Sequence, residues 1–234
     1  GRYAVVFEAY DRALQKKVAA KRYFPATSAN PDMVDRFLRE ARKASDLSHP
    51  SHVTVFGTGE DQEGRWIIAE LIEGRTLRAT MDEKVRLEPA RVIEMATQIC
   101  DLLHHAHRKG LLHRDLRPEN IFVVGHEQVK VADFGLKARL GDPLTPQDRS
   151  ICYVSPEALR SERVDERSDL YSFGIVLYEM MMGAPPFPPD TASFDHLNTP
   201  PPFSAKVDRI IPVFLKRIME RCLEKDRNRR YRSA

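Results

Sequence analysis

The chain is short of several features, and each shortage excludes something. No apolar run approaches the roughly 20 residues needed to cross a bilayer, and no secretory signal pattern is visible. Cysteine is scarce. Cys100, Cys152 and Cys222 are odd in number and far apart. They form neither a disulfide framework nor a metal-ligand spacing, which fits a reducing compartment. An excess of one charge is also missing: 37 Lys+Arg face 34 Asp+Glu, a net charge of +3. Such balance gives no reason to expect nucleic acid or a membrane surface as partner. The basic ending at 227–232 reads as a solvated or ion-paired face. No internal repeat or low-complexity tract occurs, and the proline-rich stretch 185–202 is expected to loop over the surface. What is plentiful is apolar residues, 42% of 234, enough for a globular core.

Residues 113–135 organise the rest. His113-Arg114-Asp115-Leu116-Arg117-Pro118-Glu119-Asn120 forms a polar loop after a helical pattern. Ile121–Val124 then reads as a buried strand, 125–127 as a turn, and 128–132 as a second strand. That hairpin brings Asp133 back beside Asn120. A carboxylate and an amide oxygen converging there suit Mg²⁺, a hard cation that prefers oxygen. Asp115 is placed to accept a proton from a substrate hydroxyl.

Upstream, 16–24 alternates as a strand that puts Ala19 and Lys21 on one face. Asn30-Pro31-Asp32 opens a helix with an N-cap, a proline at the first position and an acid in the first turn. Phe37, Glu40, Ala41 and Ala44 follow at helical spacing. Glu40 therefore lies within the apolar stripe and needs a cation. Lys21 is the natural partner, and Arg36 the bland one. Strands are expected at 53–59 and 65–71. A long amphipathic helix at 88–109 carries Val92, Ala96, Ile99, Leu103 and Ala106 and ends at Gly110. His104, His105 and His107 near its end read as structural or solvated. A buried helix at 166–182 and an amphipathic one at 211–222 complete the pattern.

The runs His113–Asn120 and Asp133-Phe134-Gly135 match the H-R-D-L-x-x-x-N and D-F-G signatures. The chain resembles a eukaryotic-type protein kinase, and within that family the bacterial Ser/Thr group. Val18-Ala19-Ala20-Lys21 is similar to V-A-I-K, Ser155-Pro156-Glu157 to A-P-E, and Gly1–Ala4 to the later part of the Gly-rich loop. The resemblance implies an α+β, two-lobed kinase fold: a small β-sheet lobe with one helix and a hinge at 1–72, and a larger, mainly helical lobe at 73–234. One kinase domain spans 1–234, cut within the Gly-rich loop and incomplete at both ends.

Carried over residue by residue, the resemblance implies ATP and Mg²⁺ as cofactors and a protein Ser/Thr hydroxyl as acceptor. Asp115 orients or deprotonates that hydroxyl, and Asn120 and Asp133 hold Mg²⁺. Lys21, braced by Glu40, holds the α/β-phosphates. Arg117 replaces a lysine that commonly touches the γ-phosphate. Gly1, Val6, Ala19, Ala69, Glu70, Ile72 and Phe122 surround the nucleotide, with Ala69 gating the back of its pocket. Arg114, Thr145 and Ser150 are regulatory candidates in a phosphate switch. Glu157, Asp169 and Arg230 are structural. Expected partners are the protein substrate and ATP, with self-association for autophosphorylation left open. Neither nucleic acid nor membrane contact is expected of this domain. The expected location is the cytoplasm, although segments outside the chain could anchor a longer protein. The alternative is a pseudokinase, a nucleotide-binding or scaffold module. Ala4, Arg117 and Arg149 depart from the family pattern and keep it open. A small-molecule kinase of related fold fits less well, because Ser155-Pro156-Glu157 and Asp169 follow the protein-kinase pattern.

Overall fold

The computed structural model describes residues 4–23, 39–62, 64–84, 86–126, 128–135, 149–203 and 210–234. Four antiparallel strands come first: β1 (Ala4–Asp11), β2 (Lys16–Tyr23), β3 (Val55–Asp61) and β4 (Gly64–Glu70), in the order β1-β2-β4-β3. The first hairpin turns because the Asp11 carboxylate accepts from the Ala13 and Leu14 amides at 2.8 and 2.9 Å, while Gln15 takes a left-handed φ of 54°. Helix α1 is described over 39–45, with Ala41 and Ala44 fully buried. Phe37 and the Asn30-Pro31-Asp32 start signal lie outside the described residues.

The second half is mainly helical. A two-residue strand, β5 (Arg75–Thr76), leads into α2 (Leu77–Glu83), whose first turn is capped by the Thr76 hydroxyl. Helix α3 (Pro89–Arg108) buries the stripe read from the sequence. It ends with Gly110 at φ 68°, the Gly110 amide on His107 O and the Leu111 amide on Ala106 O, a Schellman pair. Strands β6 (Ile121–Val124) and β7 (Gln128–Val131) form the expected hairpin and join β5 in a three-stranded sheet. Then come α4 (Pro156–Leu159), α5 (Glu166–Met182), α6 (Ala192–Asn198) and α7 (Val213–Cys222).

Helix α5 is the axis of this half. Residues 168–181 are all buried, so it is enclosed on every side rather than on the one face suggested by its apolar spacing. Gly174 permits the enclosure, since a Cβ there would lie 2.8 Å from Cys222 Cβ on α7. Two further expectations change. Stretch 185–202 is not wholly a surface loop, because α6 lies within it and buries Ala192 and His196. Helices α2 and α4 and strand β5 are short and had no periodic signal. The two halves are tied where residues 51–53 run alongside β7: Val53 N bonds Val131 O at 3.0 Å, and Val131 N bonds Ser51 O at 2.7 Å.

Candidate active site

The catalytic loop is built on a buried carboxylate. Asp169 of α5 accepts from the His113 and Arg114 amides, each at 2.8 Å, and from His107 Nε2 at 2.8 Å. Burial pushes its pKa up, but the bond and charge of His107 outweigh burial and hold it below the usual range. The clamp holds Arg114 at a left-handed φ of 67°, a costly conformation for a non-glycine residue. This turn presents Asp115. The Asn120 amide nitrogen then donates to Asp115 O at 2.8 Å and to its carboxylate at 3.2 Å. Arg117 lies against the same carboxylate, Nε to Oδ2 3.4 Å, and 3.9 Å from Glu119. His107, read from the sequence only as structural or solvated, is thus the side-chain partner of Asp169. The pairing joins α3 to α5, so no local pattern announces it.

The hairpin returns Asp133 to this loop. Ile121 pairs with Val131, and the Ala132 amide bonds Asn120 O at 2.9 Å. Phe134 anchors the turn from below. It is buried between the His113 ring, centroids 4.6 Å apart, and the His52 ring at 5.5 Å. Asp133 (φ 66°) and Gly135 (φ 68°) are both left-handed. Lys21 extends from β2 and forms an ion pair with the Asp133 carboxylate.

The expected Lys21–Glu40 pair is not formed. Glu40 is 7% exposed and sits 3.2 Å from Lys43 and 3.8 Å from Arg114. Its Cβ and Oε2 would each lie 3.1 Å from a Cβ on Gly135. Glu40 therefore rests over the turn after Asp133, and Lys21 takes the nearer carboxylate. The reading of a carboxylate placed in the apolar stripe holds, but the cations that meet it are different.

Register places the nucleotide candidates together. Val6 is opposite Lys21, Lys21 opposite Ile67, and Ala19 opposite Ala69, so Val6, Ala19, Lys21 and Ala69 share one face of the sheet. The Glu70 carboxylate is turned aside, with Lys130 Nζ 2.8 Å from both oxygens and the Thr54 amide at 3.2 Å. Ile72 and Phe122 are partly exposed, on the stretch after β4 and on β6. Gly1 and Thr145 lie outside the described residues.

On the other side of Asp115 is a network that the sequence did not announce. Arg78 of α2 donates to Glu179 at 2.6 Å, to Tyr153 Oη at 2.8 Å and to Glu119 at 3.4 Å. Tyr153 Oη donates to Glu179 at 2.6 Å, and the Glu179 side chain is only 1% exposed. These bonds fix the 3-10 turn Arg149–Tyr153, where Ser150 is buried, relative to the catalytic loop. Below it, Arg230 makes a two-point pair with Glu157, at 2.8 and 2.9 Å, with both side chains buried. Glu157, Asp169 and Arg230, expected as structural residues, are the ones that make these buried contacts.

The donor set at Asn120 and Asp133 is all oxygen once the Asn120 nitrogen is committed to Asp115, and a cation, the Lys21 ammonium, already rests on Asp133. These residues fit Mg²⁺. Among the described residues, no helix is long and apolar enough to cross a membrane.

Comparison with known proteins agrees with this geometry. The family described as "Protein kinase domain" matches residues 1–234. A probable serine/threonine-protein kinase of Streptomyces coelicolor is 36% identical over 100% of this chain and 37% of its own length. The serine/threonine-protein kinase PknB of Mycobacterium tuberculosis is 34% identical over 100% of this chain and 40% of its own. The chain thus spans about two fifths of the length of these relatives. Among solved structures, the PknI kinase domain of Mycobacterium tuberculosis superposes with a TM-score of 0.79 at 26% identity, covering 100% of this chain and 88% of that one. The chain belongs to the protein kinase domain family and has its two-lobed α+β fold.

Proposed function

We propose that this domain transfers the γ-phosphoryl group of Mg-ATP to Ser/Thr hydroxyls of proteins. The observation that carries the proposal is the meeting of Asp115, Asn120, Asp133 and Lys21 around one site, reached from three separate stretches of chain. Bound Mg²⁺ would supply charge neutralisation for the phosphates. The work of the chain is positioning. Asp115, held by the Asn120 amide, accepts the hydroxyl proton. Asn120 Oδ1 and the Asp133 carboxylate hold the metal. Lys21 holds phosphate oxygens, and Glu40 braces it in the active arrangement. Arg117, close to Asp115, is placed to balance charge on the transferred group. Thr145 and Ser150, with Arg114, remain the proposed regulatory residues.

A nucleotide-binding scaffold is the second reading. It draws on one observation, that Lys21 pairs with Asp133 while Glu40 pairs with Lys43 and Arg114. The complete set of catalytic side chains favours transfer. Phosphate incorporation from labelled ATP into protein, compared with Asp115→Asn, tests both readings. The kinase reading expects a loss of about a thousandfold or more. Equal incorporation by the two proteins would overturn it.

A further inference from the structure

Arg117 stands between two carboxylates and is committed to neither. Its Nε is 3.4 Å from Asp115 Oδ2 and 3.9 Å from Glu119 Oε2. Arg117 Nε and Glu119 Oε2 are both buried atoms without a hydrogen-bond partner among the described residues. The local backbone brings the two side chains together. Arg117 is extended (φ −161°, ψ 162°), and the 3-10 turn Pro118–Asn120 closes with the Asn120 amide on Arg117 O at 2.9 Å.

The other oxygen of Glu119 is held from outside the loop. Arg78 Nε, on α2, lies 3.4 Å from Glu119 Oε1. Arg78 is itself fixed by Glu179 at 2.6 Å and by Tyr153 Oη at 2.8 Å, and it meets the exposed Asp82 at 3.5 Å. Charges therefore alternate from the core of α5 to the catalytic loop: Glu179, Arg78, Glu119, Arg117, Asp115. Two anions at similar distances share one guanidinium, and the pull of each falls off with distance. With the Glu119 charge gone, Arg117 has only Asp115 of this pair to turn to. The 3.4 Å gap then closes into a charge-assisted hydrogen bond. A carboxylate in such a bond takes up a proton less readily, and one of its oxygens is covered.

We infer that Glu119, anchored by Arg78, is a positioning residue for Arg117: it holds the guanidinium off Asp115 and keeps that carboxylate open to the acceptor hydroxyl. The inference rests on the kinase reading above. It gives the short helix α2 a task in the reaction, since Arg78 is the group that fixes Glu119 to the buried Glu179.

The test compares kcat at saturating ATP and acceptor, the KM for ATP and the melting temperature. The acceptor is dephosphorylated casein or the Asp115→Asn protein, whichever takes phosphate. Glu119→Gln keeps the size of the side chain and removes its charge. It is expected to lower kcat about tenfold while the KM for ATP stays within about twofold. Its melting temperature should stay close to the parent's, because a partly exposed pair contributes little. Asp82→Asn removes the exposed carboxylate beside Arg78 and should leave kcat within about twofold. Arg78→Lys, whose ammonium cannot span Glu179 and Glu119 together, lowers kcat by a smaller factor than Glu119→Gln. Arg117→Ala has no guanidinium to hold back, so adding Glu119→Gln to it changes kcat by less than about twofold. Parental kcat in Glu119→Gln overturns the inference. So does a parallel rise in the KM for ATP, or an equal loss from Glu119→Gln in the Arg117→Ala background. If Arg117→Ala turns over too slowly to compare, Glu119→Gln against Asp82→Asn decides: an equal effect of the two overturns the inference. A parent protein that phosphorylates neither acceptor overturns the kinase reading itself, and the inference with it.

Discussion

Ala69 shows how far a single side chain can set ligand choice. It faces Ala19 across β2 and β4, so two small residues line this part of the sheet face that carries Lys21. ATP analogues with a bulky group directed at Ala69 should bind the parent protein, and Ala69→Met should exclude them while leaving ATP affinity within about threefold, since steric overlap affects only the added group. Calorimetric affinities for one such analogue and for ATP check this. Asp133→Asn addresses the proposed metal ligand and is expected to remove Mg-dependent nucleotide binding. It also leaves Lys21 without its present carboxylate partner. Titration of nucleotide with and without Mg²⁺ separates the two effects: the variant should lose the Mg²⁺ increment. Asp115, Asn120 and Asp133 were legible from their order alone, because a loop and a four-residue hairpin confine them locally. His107 and Arg78 were not, because their partners lie 62 and 41–101 residues away in sequence.

At the scale of elements, the enclosed helix α5 controls how closely its neighbours approach. Gly174→Ala would bring a methyl to 2.8 Å from Cys222 Cβ and 3.1 Å from a Leu223 methyl carbon, so α7 must move outward. Overpacking of this kind costs roughly 1–3 kcal/mol, despite alanine's better helix propensity. A fall in the melting temperature with unchanged ATP affinity is the expected outcome. Helix α2 is tied in differently, by Arg78. Arg78→Ala leaves the Glu179 carboxylate buried with Tyr153 as its one remaining partner among those described for it. Breaking such a pair from one side costs about 3–5 kcal/mol. Chemical denaturation should show that loss, and Arg78→Lys should recover only part of it, since an ammonium cannot span Glu179, Tyr153 and Glu119 together. The short α2 and α6 had no sequence signal because seven residues give at most two turns of periodicity. Their place is decided by Arg78 and His196 reaching other elements.

For the whole molecule, buried carboxylates set the acid limit of stability. Glu157 and Asp169 are each 2% exposed, and burial would raise their pKa values. Arg230 outweighs burial at Glu157, and His107 does so at Asp169, so both folded-state values are depressed. A depressed carboxylate contributes stability above its unfolded pKa of about 4, and that contribution fades as pH falls through the folded value. Melting temperature should therefore drop steeply below about pH 4. Glu157→Gln should start lower at pH 7 and fall less steeply, which a series of melts from pH 7 to pH 3 would show. An equal slope would mean that the acid limit lies elsewhere.

The sequence by itself determined the kinase motifs, the β6–β7 hairpin and the span of α5, because each rests on local spacing or on a motif. It also placed Glu40 in an apolar stripe that must meet a cation. Which cation it meets was decided only by the tertiary structure. Lys21, Lys43 and Arg114 compete for two carboxylates, and the outcome depends on where α1 stands relative to the turn at Gly135. The same holds for His196, whose ring meets a phenol 25 residues away. Spacing along the chain sets which groups are available. Three-dimensional packing sets which of them are close enough, at 3–4 Å and shielded from water, for charge and hydrogen bonding to select one partner over another.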